Sequence, residues 1–410
     1  MRGFGGFFGV ALSLITGFCL LQLPKWPLLE RLEWLLYDVR LALANGYFPQ
    51  RVSMDRRIVV VGVGPESYKA IPEHPVFWVP HYTRVARAAL EHGALTVGLD
   101  YLPTYVAPEA IGPFAQLATE YPDRLVMIAY WDSQAAVTTP PDPLVMVLGA
   151  HNLALANLSL DQDAVARAQS IQSVQTQETV GRTSWSFLAA ALVEKAQQRP
   201  LPAGLASAGQ GRAYTNLSAT PPRQVAFHDV LAWSRAGQKE HLRQVFADSL
   251  VLIGSRAKVD QDLVLTPNPQ WKPGGSLTQS GFGVDYQAQV ANTLLTQQTL
   301  RAVPAWQSGL ALAALLLLLL LAAQWASLGL NLFLLGGSLL LWLSLALAAL
   351  LGASQLLPLT PGIVGLPSCW AAAMAYRSWR ESRARQKLHR TIAGYVAPEI
   401  LREMLAEPAT

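Results

Sequence analysis

Glycine pairs, an acidic pair and scattered histidines are the residues of this sequence whose types could do chemistry. Gly62-Val63-Gly64 follows a β-branched run, as a phosphate-cradling loop would. Pro65 comes next, however, and neither GxGxxG nor a Walker pattern is completed, so phosphate binding is not expected. The histidines (His74, His81, His92, His151, His228, His241 and His389) show no metal-ligand spacing. There is also no H-E-x-x-H and no C-x-x-C, so neither a zinc site nor any other metal or cofactor is expected. Ser255 follows Gly254 outside the G-x-S-x-G frame of a nucleophile elbow, and no residue stands out as a catalyst. In open α/β sheets, ligands favour the crevice at the carboxyl ends of the strands. That rule selects Asp100, Ser255, Arg256, Asp260 and Asp262 as the candidate ligand pocket. The competing reading is structural: Asp100 caps a loop, Arg256 is a surface charge, and Asp260 and Asp262 are solvated.

These positions need a sheet to carry them. Ile58–Val63 is a continuous apolar run, as expected of a strand buried on both faces. Leu95–Tyr101, Leu125–Tyr130 and Leu250–Gly254 are similar, and Leu153–Leu158 is a weaker candidate for the same sheet. Helix-period segments lie between them: Leu28–Leu43, His81–His92 with Gly93 as its stop, Ser184–Gln198 and Tyr286–Leu295. Alternating strands and helices predict an α/β domain with a largely parallel sheet and flanking helices over residues 25–304.

The rest of the chain reads as membrane. Only 14% of the 410 residues are charged, against about 25% in a soluble domain. The deficit is concentrated: no charge lies between Arg2 and Lys25, and none in the 75 residues from Ala302 to Tyr376. A membrane helix needs roughly 20 apolar residues. The long gap therefore predicts three spans, at 305–325, 330–352 and 357–376, divided by Ser327, Gly329 and Asn331 and then by Gly352, Ser354, Gln355 and Pro358. Prolines 358, 361 and 367 in the third are tolerable within a bundle. Residues 5–24 predict a further span; no A-x-A-like cleavage site follows it, so an uncleaved anchor is expected. Together these make an all-α bundle of four membrane helices. Arg377, Arg380, Arg383, Arg385, Lys387 and Arg390 mark the inner side. Residues 1–4 and 377–410 are then cytoplasmic and 25–304 lie outside. The net charge of +4 owes its sign to this tail, where lipid headgroups meet it, and does not suggest nucleic acid. Cys19 and Cys369 both fall in expected spans, so the outer domain has no disulfide. The spans carry no ionisable residue, which argues against a transporter.

Several stretches, in order, resemble the second type of CHASE sensor domain, an extracytoplasmic module of bacterial cyclases and kinases. They are Leu35–Arg40 (an LLYDVR entry helix), Ile58–Val63, Gly93–Asp100, Leu250–Ser255 (VLIG), Asp262–Pro267 and Gly283–Leu295. Glu66 and Asp285 depart from the pattern, in which Asp tends to follow the first strand and Glu is usual at the second position. Separately, Ala393–Leu401 is similar to the segment preceding a class III adenylate/guanylate cyclase domain. These resemblances imply a sensory receptor in a bacterial inner membrane that passes an external stimulus to a cytoplasmic effector such as a cyclase. They also imply a homodimer. The chain itself carries no cyclase metal site, and no catalytic activity is expected of it. The alternative is an envelope scaffold or binding module without signalling output.

Overall fold

A computed structural model describes residues 15–131, 137–177, 181–202, 205 and 212–393. The expected first span is described only from Ile15, and the cyclase-like string from Gly394 onward lies outside these residues, as does the N-terminal 1–4.

The chain divides into two compact units. One, formed by Tyr37–Ala302 and Ala349–Leu356, is the expected α/β domain. Its main sheet contains β1 (Ile58–Val63), β2 (Thr96–Asp100), β3 (Leu125–Trp131), β4 (Val137–Thr138), β5 (Leu153–Leu155), β10 (Arg223–Ala226) and β11 (Leu250–Ser255). The order is β10-β1-β11-β2-β3, with β5 and β4 both pairing β3. Every pairing is parallel except the short one of β4 to the end of β3. Small antiparallel ribbons are made by β6 (Ala168–Ser170) with β9 (Arg212–Tyr214), β7 (Gln172–Gln177) with β8 (Gly181–Ser186), and β12 (Leu263–Pro267) with β13 (Thr278–Phe282), and β14 (Arg301–Ala302) pairs β15 (Gln355–Leu356) in parallel.

Alternation along the strands sends side chains into two cores. Ile58, Val60, Leu250, Leu252 and Val126 face one core, under α1 (Pro27–Tyr47), α6 (Leu188–Gln197) and α9 (Gly283–Leu295). Val59, Val61, Val251, Ile253, Val97 and Leu99 face the other. That layer holds α2 (Pro65–Ala70), α3 (Val79–Glu91), α4 (Pro108–Glu120), α5 (Asp142–Leu148), α7 (Phe227–Arg235) and α8 (Lys239–Phe246). The helix expected over 184–198 starts later, at Leu188, because Gly181–Ser186 takes strand geometry in β8. Burial on both faces explains why β1 has no polar residue at all.

One buried ionic cluster holds the part of α1 that belongs to this unit, from Tyr37 onward. Arg167 donates to Asp38 on α1 at 2.9 and 2.7 Å, and to Asp161 and Asp163 at 2.7–3.1 Å. Arg212 adds a bond to Asp161 at 3.0 Å. Burial pushes the Asp38 carboxyl above the usual range, against the pull of Arg167.

The second unit is formed by the described parts of Met1–Leu36, Val303–Ala348 and Leu357–Thr410. Helices α10 (Ala305–Trp325) and α11 (Leu328–Ala353) are each long and apolar enough to cross a membrane. Their apolar residues are largely uncovered: on α11, Phe333 is 76% and Leu340 67% exposed. A contiguous apolar face of this length suits lipid and not water. The segment expected as a third span is organised differently. Pro361–Gly365 forms a π-helical turn, and α12 (Leu366–Ala393) then runs unbroken through the basic residues. Proline lacks the N–H a helix interior needs, so Pro358 and Pro361 fall before α12, while Pro367 sits in its first turn, where it is tolerated. Arg377 of α12 donates to the carbonyls of Ala323 and Ala326 at 3.0 and 2.8 Å, closing the open end of α10.

Removing Arg167 strands the buried Asp38 carboxylate and takes a partner from Asp163 and from Asp161, which keeps Arg212. Arg167→Met is expected to destabilise the detergent-solubilised chain by about 3–5 kcal/mol, since breaking a buried pair leaves an uncompensated charge. Denaturant unfolding reads this directly; a loss under about 1 kcal/mol would contradict the buried role, being what an exposed ion pair gives.

Candidate functional site

Parallel strands end together, and at the carboxyl edge of this sheet the loops part. A cavity of about 720 Å³ opens there, over the ends of β11, β2, β3 and β5. Its size is that of a small-molecule site, for which about 300–1,000 Å³ is usual.

Four of the five expected site residues line it: Asp100 at the end of β2, Ser255 at the end of β11, and Asp260 and Asp262 on the loop after β11. Asp260 ends a short 3-10 turn, Lys258–Asp260, and Gln261 follows in a left-handed conformation (φ 54°) that redirects the chain before Asp262. Arg256 is brought elsewhere. Successive side chains of a strand alternate, so the residue after Ser255 points away from Ser255's side. Its guanidinium pairs with Asp285 at 3.2 Å, donates to Gln224 at 2.7 Å and lies over the Phe282 ring. The Asp285 expected as a departure from the family's usual Glu thus holds this arginine.

Two glycines make the acidic cluster possible. A Cβ on Gly283, the first residue of α9, would stand 2.4 Å from a carboxylate oxygen of Asp262. A Cβ on Gly254 would come within 3.0 Å of both Val284 and Asp100. Their absence lets α9 begin hard against the sheet edge, with the carboxylate of Asp262 at its N-terminal end.

Asp260 is well partnered. The Tyr68 hydroxyl lies 2.9 and 2.7 Å from its two oxygens, and the Ser255 hydroxyl donates to it as well. Among the described residues, no side chain donates to Asp100 or Asp262. Burial, then the charge of Asp262, pushes Asp100 up to about 7. Burial and the neighbouring Asp260 and Asp285 also raise Asp262, against the Gly283 N–H.

The sequence-selected residues are only the polar half of the site. The other half is aromatic: Tyr68, Trp78, Tyr82, Tyr101 and Tyr130. Tyr82 and Tyr101 stack with centroids 4.0 Å apart and planes 5° from parallel. Trp78 is 1% exposed, donates to the Glu73 carbonyl at 2.7 Å and stacks on Phe227. On the far side, Asn157 and the backbone of Trp131 exchange bonds of 2.7 and 2.8 Å, fastening the end of β3 to the segment after β5. Gln287 of α9 also lines the cavity; it is 1% exposed, and its Oε1 has no hydrogen-bond partner. No group of three or more metal-ligating side chains occurs among the described residues. What the arrangement can do is hold a ligand between hydrogen-bond acceptors and aromatic rings.

The raised Asp100 has a measurable consequence. Folded, it keeps a proton that the unfolded chain gives up near pH 4. Its contribution to stability is present below about pH 4 and is lost as pH rises through about 7. Asp100→Asn is expected to flatten that loss, so the variant gains on the parent progressively up to pH 8. Thermal unfolding across this range checks it, and parallel curves for the two proteins would contradict the burial of the carboxyl.

The CHASE2 domain family matches residues 10–323, a stretch that includes every residue lining the cavity. No curated protein and no solved structure matches the chain.

Proposed function

Because the chain belongs to the CHASE2 domain family, a family of sensor domains, we propose that it is a membrane-bound sensory receptor whose stimulus acts in the cavity at the carboxyl edge of the sheet. The observation that carries this reading is the cavity itself: a ligand-sized space at the place where open α/β sheets bind ligands, lined by polar groups without catalytic partners. A sensory domain of this kind reports occupancy through a change of state. Only a difference in affinity between two states can drive such a change.

The rest of the reading extends the same logic. Helices α10 and α11, with the segment up to Tyr376 and the N-terminal segment 5–24, cross the inner membrane as four spans. Both termini are then cytoplasmic and the α/β domain lies outside. The six basic residues from Arg377 to Arg390 support this orientation. Helix α1 supports a transmission route. Its Glu33 carboxylate accepts the backbone N–H groups of Leu359 (3.0 Å) and Thr360 (2.8 Å) just before α12, while farther along the same helix Asp38 is held by Arg167. The output passes to a cytoplasmic effector of the adenylate/guanylate cyclase kind, and the receptor works as a homodimer. A scaffold without output is the competing reading, and the cytoplasmic end separates the two. Deleting 377–410 abolishes a receptor's function and leaves a scaffold's intact.

The test is a chimaera in which the whole chain is fused ahead of a cyclase catalytic domain and its activity read in membranes. Asp100→Ala and Asp262→Ala are expected to change basal or stimulated output at least about threefold, a modest population shift, with the protein still folded and inserted. Arg256→Ala, outside the cavity, is expected to change it less. Unaltered output from both cavity variants would sink the sensory assignment of this site.

A further inference from the structure

The charged side chains that line the cavity are all acidic, and that narrows what it can hold. Asp100, Asp260 and Asp262 line it, and among the described residues no Lys, Arg or His does. Two hydroxyls beside the acids are already engaged, since Tyr68 and Ser255 both serve Asp260. The Tyr101 hydroxyl donates to the Pro75 carbonyl at 3.2 Å. Asp100 and Asp262 are left with free lone pairs. Gln287, which also lines the cavity, has a buried Oε1 without a partner. A buried acceptor with no donor costs free energy until something supplies one.

Resting on the sensory reading above, we infer that the ligand is an organic ammonium: a protonated amine whose head sits among Asp100, Asp262 and Gln287 and whose apolar body lies against the tyrosines. An anion would meet three carboxylates and no counter-charge. A neutral polyol could donate to the carboxylates but would bring no charge to balance them. An ammonium brings two or three N–H donors, a positive charge for the carboxylates, and attraction to aromatic faces. Its arrival also removes the reason for Asp100 to hold a proton. The titratable groups that act on Asp100 are Asp262 and Tyr82, neither of them cationic, and no Lys, Arg or His lines the cavity, so the ligand is the first positive charge it meets there.

Calorimetric titration of the whole chain in lipid discs tests this with three probes of one shape: 2-phenylethylammonium, 2-phenylethanol and 3-phenylpropanoate. The ammonium is expected to bind at least about tenfold tighter than the alcohol, and the propanoate not at all. Near pH 6.5 its binding is expected to release protons, seen as an enthalpy that varies with the buffer's own ionisation heat, and affinity is expected to rise between pH 5.5 and 7.5. Asp262→Asn and the isosteric Asp100→Asn are each expected to weaken the amine about tenfold or more, and Asp100→Asn to abolish the proton release, with unfolding curves showing both variants folded. The inference is overturned if the alcohol binds as tightly as the amine, if both variants bind the amine unchanged, or if no amine binding is found at millimolar concentration. In each of these cases a chimaera whose output still depends on Asp262 would leave the sensory reading standing, so the two failures are separable.

Discussion

Acidic side chains drawn out of water with no basic partner are the constraint from which the rest of this site follows. A carboxylate buried without a counter-charge either takes a proton or waits for a cation. Asp100 does the first, pushed up to about 7 by its surroundings and by Asp262. The cost is met by the fold around it. Parallel strands buried on both faces bring the ends of β2 and β11 side by side, and two glycines let α9 start directly over them. Arg256, one residue from Ser255, would have neutralised the cluster had it faced inward. Asp285 keeps it outside.

Much of this was legible from the residues. Continuous runs such as Ile58–Val63 can only be strands with apolar cover on both sides, and the parallel sheet follows. The carboxyl-edge rule then reached four of the lining residues, because each lies within a few positions of a strand end. Arg256 was selected by the same proximity and misplaced by it: adjacency in sequence ignores the alternation that turns neighbouring side chains apart. The aromatic wall was not readable. Tyr68, Trp78, Tyr82, Tyr101 and Tyr130 come from a short helix, a loop-helix junction, a helix and two strand ends, with no common spacing. The Asp38–Arg167 cluster joins residues 129 apart and leaves no local trace.

The apolar segments tell a similar story. Composition alone identified α10 and α11, and their exposed leucines in the folded chain agree with a lipid-facing role. Pro358 and Pro361 lie ahead of α12, where the missing N–H does no harm and a glutamate receives the neighbouring amides, and Pro367 lies in its first turn. Glu33 and Asp38 stand five residues apart on α1, one bound at the start of the last long helix and the other at a buried arginine of the α/β domain.

The central claim, that a ligand at the open sheet edge alters the helical part of the chain, is met most directly by amide hydrogen exchange. The whole chain in lipid discs would be compared with and without a tightly bound amine. Slowed exchange is predicted at residues 100–102, 156–158 and 260–263, together with a changed rate at Leu359 and Thr360, the amides that Glu33 receives. Tight binding that leaves the cavity segments unaltered, or alters them with no response at Leu359 and Thr360, would contradict the account.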